Sequence, residues 1–102
     1  MSEVSKAPPL NELFSKHVNT IFTMCLEAGG RFDLELRSCD VHVANPGHEN
    51  FSLEFLGPLD APLVQGIYRL ANEQMGDMDI FLVPIARESA GTVYEAVFNL
   101  VR

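Results

Sequence analysis

A strict alternation runs from Arg31 to Arg37, where Phe32, Leu34 and Leu36 are separated by Arg31, Asp33, Glu35 and Arg37. Successive side chains of a strand point to opposite faces, so this pattern predicts a strand with one buried face. The apolar phase then slips by one residue, onto Cys39, Val41 and Val43. Such a slip flips every side chain to the other face, which predicts a β-bulge or strand break near Ser38 to Asp40. Before it, Thr20 to Leu26 is rich in β-branched and aromatic residues and predicts another strand, joined through the turn Ala28-Gly29-Gly30. After it, the run from Asn45 to Asn50 (Asn-Pro-Gly-His-Glu-Asn) is a turn. Phe51, Leu53 and Phe55 then alternate with Ser52 and Glu54 until Gly57-Pro58 ends that strand.

The second half alternates less cleanly. Asp79 to Arg87 carries the run Ile80-Phe81-Leu82-Val83 followed by Pro84-Ile85. A short run apolar on both faces suits a central strand, and Pro84 cannot donate to a ladder, so it marks a bulge or an end. Ser89-Ala90-Gly91 turns the chain into a last strand, Thr92 to Val101. Tyr94, Ala96, Phe98 and Leu100 share one of its faces, and Val93, Glu95, Val97 and Asn99 the other. Asp60 to Gly76 reads two ways. Leu63, Ile67, Leu70, Ala71 and Met75 fit a helical stripe capped by Asp60, whereas Val64-Gln65-Gly66-Ile67-Tyr68 reads as strand. At the N-terminal end, Asn11 is placed to cap a short helix running to about His17, with Leu10, Leu13, Phe14 and Val18 at helical spacing.

The pattern therefore predicts a mainly β fold: a small antiparallel barrel or sandwich of about six strands with a short N-terminal helix. The 102 residues fit a single β-rich domain over 10–102, preceded by a flexible arm over 1–9 that ends in Ala7-Pro8-Pro9. With 47% hydrophobic residues the chain has apolar material for one core. Fourteen acidic residues against seven basic ones give a formal charge of −7, and the basic residues are scattered. That balance repels phosphate backbones, so no nucleic acid is expected as a partner. The first six residues lack the apolar core of a signal peptide, and no apolar run reaches the roughly 20 residues of a membrane span. The expected location is the cytoplasm, with Cys25 and Cys39 as buried free thiols.

Candidate chemistry is sparse. Cys25, Cys39, His42 and His48 are zinc-type ligands, but structural zinc sites bring two ligands from one tight turn, and Cys39-Asp40-Val41-His42 matches that spacing only in part. Residues three apart on a strand point to opposite faces, so these two meet one metal only across a bulge. No Gly-x-Ser-x-Gly elbow and no glycine-rich phosphate loop is present. Glu73, Asp77 and Asp79 surround Gly76 in a turn, where solvated charge is the simplest account. The expectation is a protein that is not an enzyme and holds no metal or cofactor. What remains is surface. The last strand, with Tyr94, Val97, Phe98, Leu100 and Val101, lacks the lysines and prolines that blunt an exposed edge. As an edge strand it would pair with another protein or with a second copy. As a central strand it would have neighbours on both sides. An alternative reading is a ligand-binding barrel with Tyr68, Tyr94 and Phe98 lining its pocket.

The residues also carry a resemblance. Phe51-Ser52-Leu53-Glu54-Phe55 with Gly57-Pro58, then Leu63 to Leu70, Gly76, Ile80-Phe81-Leu82-Val83-Pro84-Ile85, and Tyr94 to Asn99 together resemble a family of small bacterial proteins classed as a domain of unknown function. The likeness runs from about Leu13 to Val101, and its most specific parts are Gln-Gly-x-Tyr and Phe-Leu-Val-Pro-Ile. The resemblance implies that the ambiguous stretch is a strand leading into a hairpin. It also implies an assembly or accessory role alongside proteins resembling phage tail-collar fibres. It carries no catalytic residues. Gln65, Gly66, Tyr68 and Pro84 are motif positions with a structural reading, Gly66 for close backbone approach and Pro84 for a bulge.

Overall fold

In the computed structural model, which describes residues 9–45 and 47–101, the strands pair in the order β1-β2-β3-β6-β5-β4 and close on themselves as an antiparallel barrel. The elements are α1 (Leu10–Ser15), β1 (Ile21–Cys25), β2 (Arg31–Asn45), β3 (His48–Gly57), β4 (Gly66–Asn72), β5 (Gly76–Glu88) and β6 (Gly91–Val101). Thr23, Met24 and Cys25 of β1 pair with Ala71, Leu70 and Arg69 of β4, and this seam closes the ring. Residues 1–8 of the expected arm, Pro46 of the β2–β3 turn and Arg102 lie outside the described residues. Among the described residues no helix is long and apolar enough to cross a membrane.

The period-two pattern sets the core. Phe51, Leu53 and Phe55 of β3 point inward and meet Phe22 and Met24 of β1, Leu34 and Leu36 of β2, Leu70 of β4, Leu82 of β5 and Tyr94 of β6, all buried. Each such Leu or Phe contributes about 1.5–3 kcal/mol relative to an exposed one, so the pattern alone supplies much of the drive to close the ring.

Four sequence expectations change in detail, and the first, a bulge or a break in β2, is met as a bulge. The β2 strand does not break. It passes through two register steps, one between Leu36 and Ser38 and one between Val41 and Val43. The first puts Cys39 opposite Leu53 and Val41 opposite Phe51 on the inward face; the second puts Val43 opposite Asn50, out of phase with them. The extra residues are Arg37 and His42. The β5 run is not buried on both faces: Ile80 and Leu82 are buried, but Phe81 and Ile85 are about half exposed, because none of the described residues covers the outside of the barrel wall. Gly66 serves no close approach, since a Cβ there would meet nothing within 4 Å. Pro84 does mark a bulge, with Ile85 the extra residue between the Pro84–Tyr94 and Ala86–Val93 pairs. The ambiguous stretch is loop to Gln65 and strand from Gly66, entering the hairpin that the Asn72–Gly76 pair closes.

The fourth correction concerns α1. Asn11 does not cap it: the N-cap position is Pro9, without a side-chain cap, and the helix ends at Ser15 short of His17. The cap comes from 38 residues away. The buried carboxylate of Glu49 accepts hydrogen bonds from the Asn11 N–H (2.9 Å), the Asn11 Nδ2 (2.7 Å) and the Leu10 N–H (3.3 Å). An anion among the first-turn amides satisfies donors that have no partner inside the helix. At its other end His17 bridges the Leu13 carbonyl and the Gln74 side chain, so the segment spans from β3 to the β4–β5 turn.

This placement answers a geometric need. β3 pairs with β6 along its whole length, from His48–Val101 to Gly57–Thr92, but β6 pairs with β5 only up to Glu95. On the other side, the pairing of β2 with β1 ends at Ile21–Glu35. Strands β2, β3 and β6 therefore run on past the barrel rim as a three-stranded extension. Phe14 of α1, fully buried, packs on the inner face of that extension, with its ring 6.1 Å from Phe51 and 5.6 Å from Phe98.

Two glycines separate space from conformation. Gly91 has φ 148°, and a Cβ there would lie 2.0 Å from the Gly57 carbonyl oxygen; Gly76 has φ 85° but open space around it. In urea titrations, Gly91→Ala is expected to cost more than about 3 kcal/mol, Gly76→Ala about 1 kcal/mol, and Gly66→Ala less than about 0.5 kcal/mol. Glu49→Ala is expected to cost about 2–3 kcal/mol in the same assay, because the Asn11 amides stay buried without their acceptor. Glu49→Gln, which keeps one acceptor oxygen, should lose less.

Candidate interaction surface

The zinc-type residues do not converge. Cys25 ends β1 opposite Arg31, and Cys39 lies eight residues further along β2, roughly 26 Å away at a strand rise of about 3.3 Å per residue. That distance far exceeds the ~7 Å between Cα atoms that a disulfide tolerates, and both thiols are free but only partly buried, not buried as expected. Cys39 packs on the core near the Asn11 carbonyl, His42 lies 3.5 Å from the Ser52 hydroxyl, and His48 meets the Asn99 side chain at 3.0 Å. Among the described residues, no three His, Cys, Asp or Glu side chains are grouped to hold a metal ion. Glu73, Asp77 and Asp79 are exposed around the β4–β5 turn. Asp79 pairs with Arg69 at 2.7 Å and raises its pKa through that hydrogen bond and its charge, but both side chains are more than half exposed and the pair is a solvated one.

The three aromatics proposed to line a pocket go to different places. Phe98 stacks on Phe51 with ring centroids 4.8 Å apart. Tyr94 is fully buried and donates its hydroxyl to the Pro62 carbonyl, and Tyr68 donates to the Val64 carbonyl. Arg87 adds a third tie, to the Leu59 carbonyl at 3.1 Å. The tyrosines thus hold the loop before β4 against the barrel, which gives Tyr68 a structural role beside that of Pro84. Gln65 in that loop is exposed. A depression of about 620 Å³ lies beside Tyr68, Arg69 and Cys25, and another of about 520 Å³ beside His17, Ile21 and Asn72. Neither has Tyr94 or Phe98 in its wall.

The apolar residues that stay outside are more telling. Ile67 of β4 and Phe81 of β5 are direct cross-strand partners, 72% and 50% exposed. Val97 of β6 continues the same outward phase at 65% exposure, and Leu63 and Val64 of the adjoining loop are exposed as well. Ile67 and Phe81 lie together on neighbouring strands, and exposed apolar side chains that are grouped rather than scattered are a feature of contact surfaces. Of the C-terminal residues singled out in the sequence, Val97 and Val101 face outward and exposed, Phe98 and Leu100 lie half-buried against the core, and Tyr94 is sealed inside. Beyond Glu95, β6 has no strand partner on its β5 side among the described residues.

Two buried polar residues escape sequence reasoning. Glu49 sits in phase with Phe51, Leu53 and Phe55, so alternation does point it inward, but turn chemistry masks the signal. Asn72 accepts from the Gln74 and Met75 N–H groups (3.0 and 2.9 Å) and donates to the Ile21 carbonyl and Thr20 hydroxyl (3.0 and 3.2 Å). It ties the β4–β5 turn to the start of β1, and only its position four residues before Gly76 hints at that turn role.

Burial pushes the Tyr94 phenol up from 10 to about 12, with a smaller contribution from the charge of Tyr68. The folded state holds the neutral phenol, so its stabilising effect is complete below pH 10 and is lost as pH rises from 10 towards 12. The unfolding free energy from urea titrations should therefore fall over that range, by up to about 1.4 kcal/mol per pH unit from this group. Tyr94→Phe should flatten the alkaline limb while costing about 1–2 kcal/mol at neutral pH, where the Pro62 carbonyl loses its donor.

No curated protein and no solved structure matches the chain. A family model does: it spans residues 11–98, from the first turn of α1 into the extended part of β6. It thus takes in β1 to β5 whole and most of α1 and β6, and the chain belongs to the family described as Domain of unknown function (DUF6916).

Proposed function

We propose that this domain is a non-enzymatic interaction module that helps assemble or cap a larger protein structure. The observation that carries this reading is the outward apolar face of β4, β5 and β6, where Ile67, Phe81 and Val97 are each at least half exposed. Leaving such residues in water gains nothing for the fold, since each would be equally compatible with the barrel as a polar residue. Their burial against another protein gives them a purpose. The formal charge of −7 keeps the rest of the surface repulsive to acidic polymers and to promiscuous contact. The assembly role implied by the resemblance, beside proteins resembling phage tail-collar fibres, agrees with a contact surface of this kind.

Affinity capture from native lysate with the full chain tests the proposal. The wild-type domain is expected to retain a specific protein, and Phe81→Lys to reduce retention at least about tenfold, as loss of a central aromatic anchor does. Thermal unfolding of the variant should stay unchanged, because Phe81 has no role in the core. A wild-type domain that stays monomeric and retains nothing above background contradicts the reading.

A further inference from the structure

Among the described residues, the three-stranded extension has two edges without a strand partner, and they differ in character. Along β2, from Arg37 to Asn45, the edge carries Arg37, Asp40 and His42 and is interrupted by two bulges. Charges and bulges are the devices that stop a strand from accepting a neighbour. Along β6, Ala96-Val97-Phe98-Asn99-Leu100-Val101 holds no charged residue and no proline, and its pairing with β3 runs without a register step from Thr92 to Val101. One edge is blunted and the other is left straight and neutral.

We infer that the β6 edge pairs antiparallel with the same edge of a second copy of this chain, about a two-fold axis at Asn99. This rests on the contact-surface reading above and names its partner. Three observations select the second copy. A head-to-tail arrangement would set β6 against a β2 edge, which its charges and bulges oppose, so the isologous β6–β6 contact is the one left. Each chain carries −7, and two copies repel wherever acidic residues face each other; Ala96–Val101 is a seam six residues long where none do. The segment is also self-complementary. Residues directly opposite in an antiparallel pair share a face, so the registers that keep both outer faces on one side pair odd numbers with odd. Centring on Asn99 sets Val97 against Val101 of the second copy, Phe98 against Leu100, and Asn99 against itself. Like meets like at every step, and the exposed Val97 and Val101 (65% and 78%) are covered together. The product is a continuous sheet, β2-β3-β6 joined to β6-β3-β2 of the second copy.

Centred on Asn99, the five residues from Val97 to Val101 pair with one another, a contact at the small end of specific interfaces, so the dissociation constant should be on the order of micromolar. Repulsion between two acidic chains is screened by salt, so the dimer should strengthen between about 0.05 and 0.5 M NaCl.

Sedimentation of the full chain and register-specific crosslinking test the inference. In a Cys25→Ala/Cys39→Ala background, Asn99→Cys places two sulfurs across the axis, with Cα atoms about 4.5–5.5 Å apart, within disulfide reach. Val97→Cys in the same background leaves its two copies four residues out of register, roughly 13 Å apart, beyond that reach. The expected result is a concentration-dependent dimer of wild-type chain, covalent dimer from Asn99→Cys, at least tenfold less from Val97→Cys, and monomer from Val97→Lys. Equal crosslinking of the two cysteine variants, or wild-type chain that sediments as monomer at about 100 μM, overturns the inference. If monomeric wild-type chain still captures a lysate protein and Phe81→Lys loses it, self-pairing fails and the contact-surface proposal stands. If nothing is captured either, both fall.

Discussion

The extension of β2, β3 and β6 beyond the barrel rim has an inner face that the barrel itself cannot cover. Phe51 and Phe98 stack there, and without a lid they would stand in water. α1 is that lid, but six residues make a helix far too short to be stable alone. Its position depends on the Glu49 carboxylate, which gathers the Leu10 and Asn11 amides onto β3. A buried charge is costly unless it is hydrogen-bonded, and here the same bonds that satisfy it fix the helix. Phe14 can then fill the space between Phe22, Phe51 and Phe98.

Closing the inner face in this way leaves β6 with two environments along one strand. Up to Glu95 it is an interior strand between β3 and β5, with Tyr94 in the core and Gly91 pressed against Gly57. Past Glu95 the pairing with β5 has ended, and among the described residues the same strand has β3 on one side only. Among the described residues the last strand is thus interior in its first half and at the edge of the sheet in its second. The register with β3 runs without a step through both halves, so the apolar segment continues the strand of the interior half.

Much of this fold was legible because the barrel wall is one layer thick and obeys period two: Phe32, Leu34 and Leu36, or Phe51, Leu53 and Phe55, announce their strands directly. What was not legible depends on contacts between distant residues. Asn11 reads as a helix cap because its type suits that position, and nothing local reveals that Glu49 does the work from another element. Ile67 and Phe81 read as core because they are apolar. Only the β4–β5 register, set by Asn72 and Gly76, shows that they stand together on the outside. The Ile80–Val83 run suggested a strand buried on both faces, yet a barrel of this size has one core and its outer face stays wet. Of the proposed contact surface, only the C-terminal end was visible in the sequence, where an unblunted strand can be recognised by what it lacks.

Residue-resolved amide hydrogen exchange along β6, at a concentration low enough for the chain to sediment as a monomer, probes this account most directly. Thr92 to Glu95 should be protected throughout, since their amides are bonded on both sides. From Ala96 to Val101 protection should alternate, with amides directed to β3 slow and those directed to the open side exchanging orders of magnitude faster. Uniform protection across Ala96–Val101 in the monomer would mean that the edge is already covered, and would contradict the account.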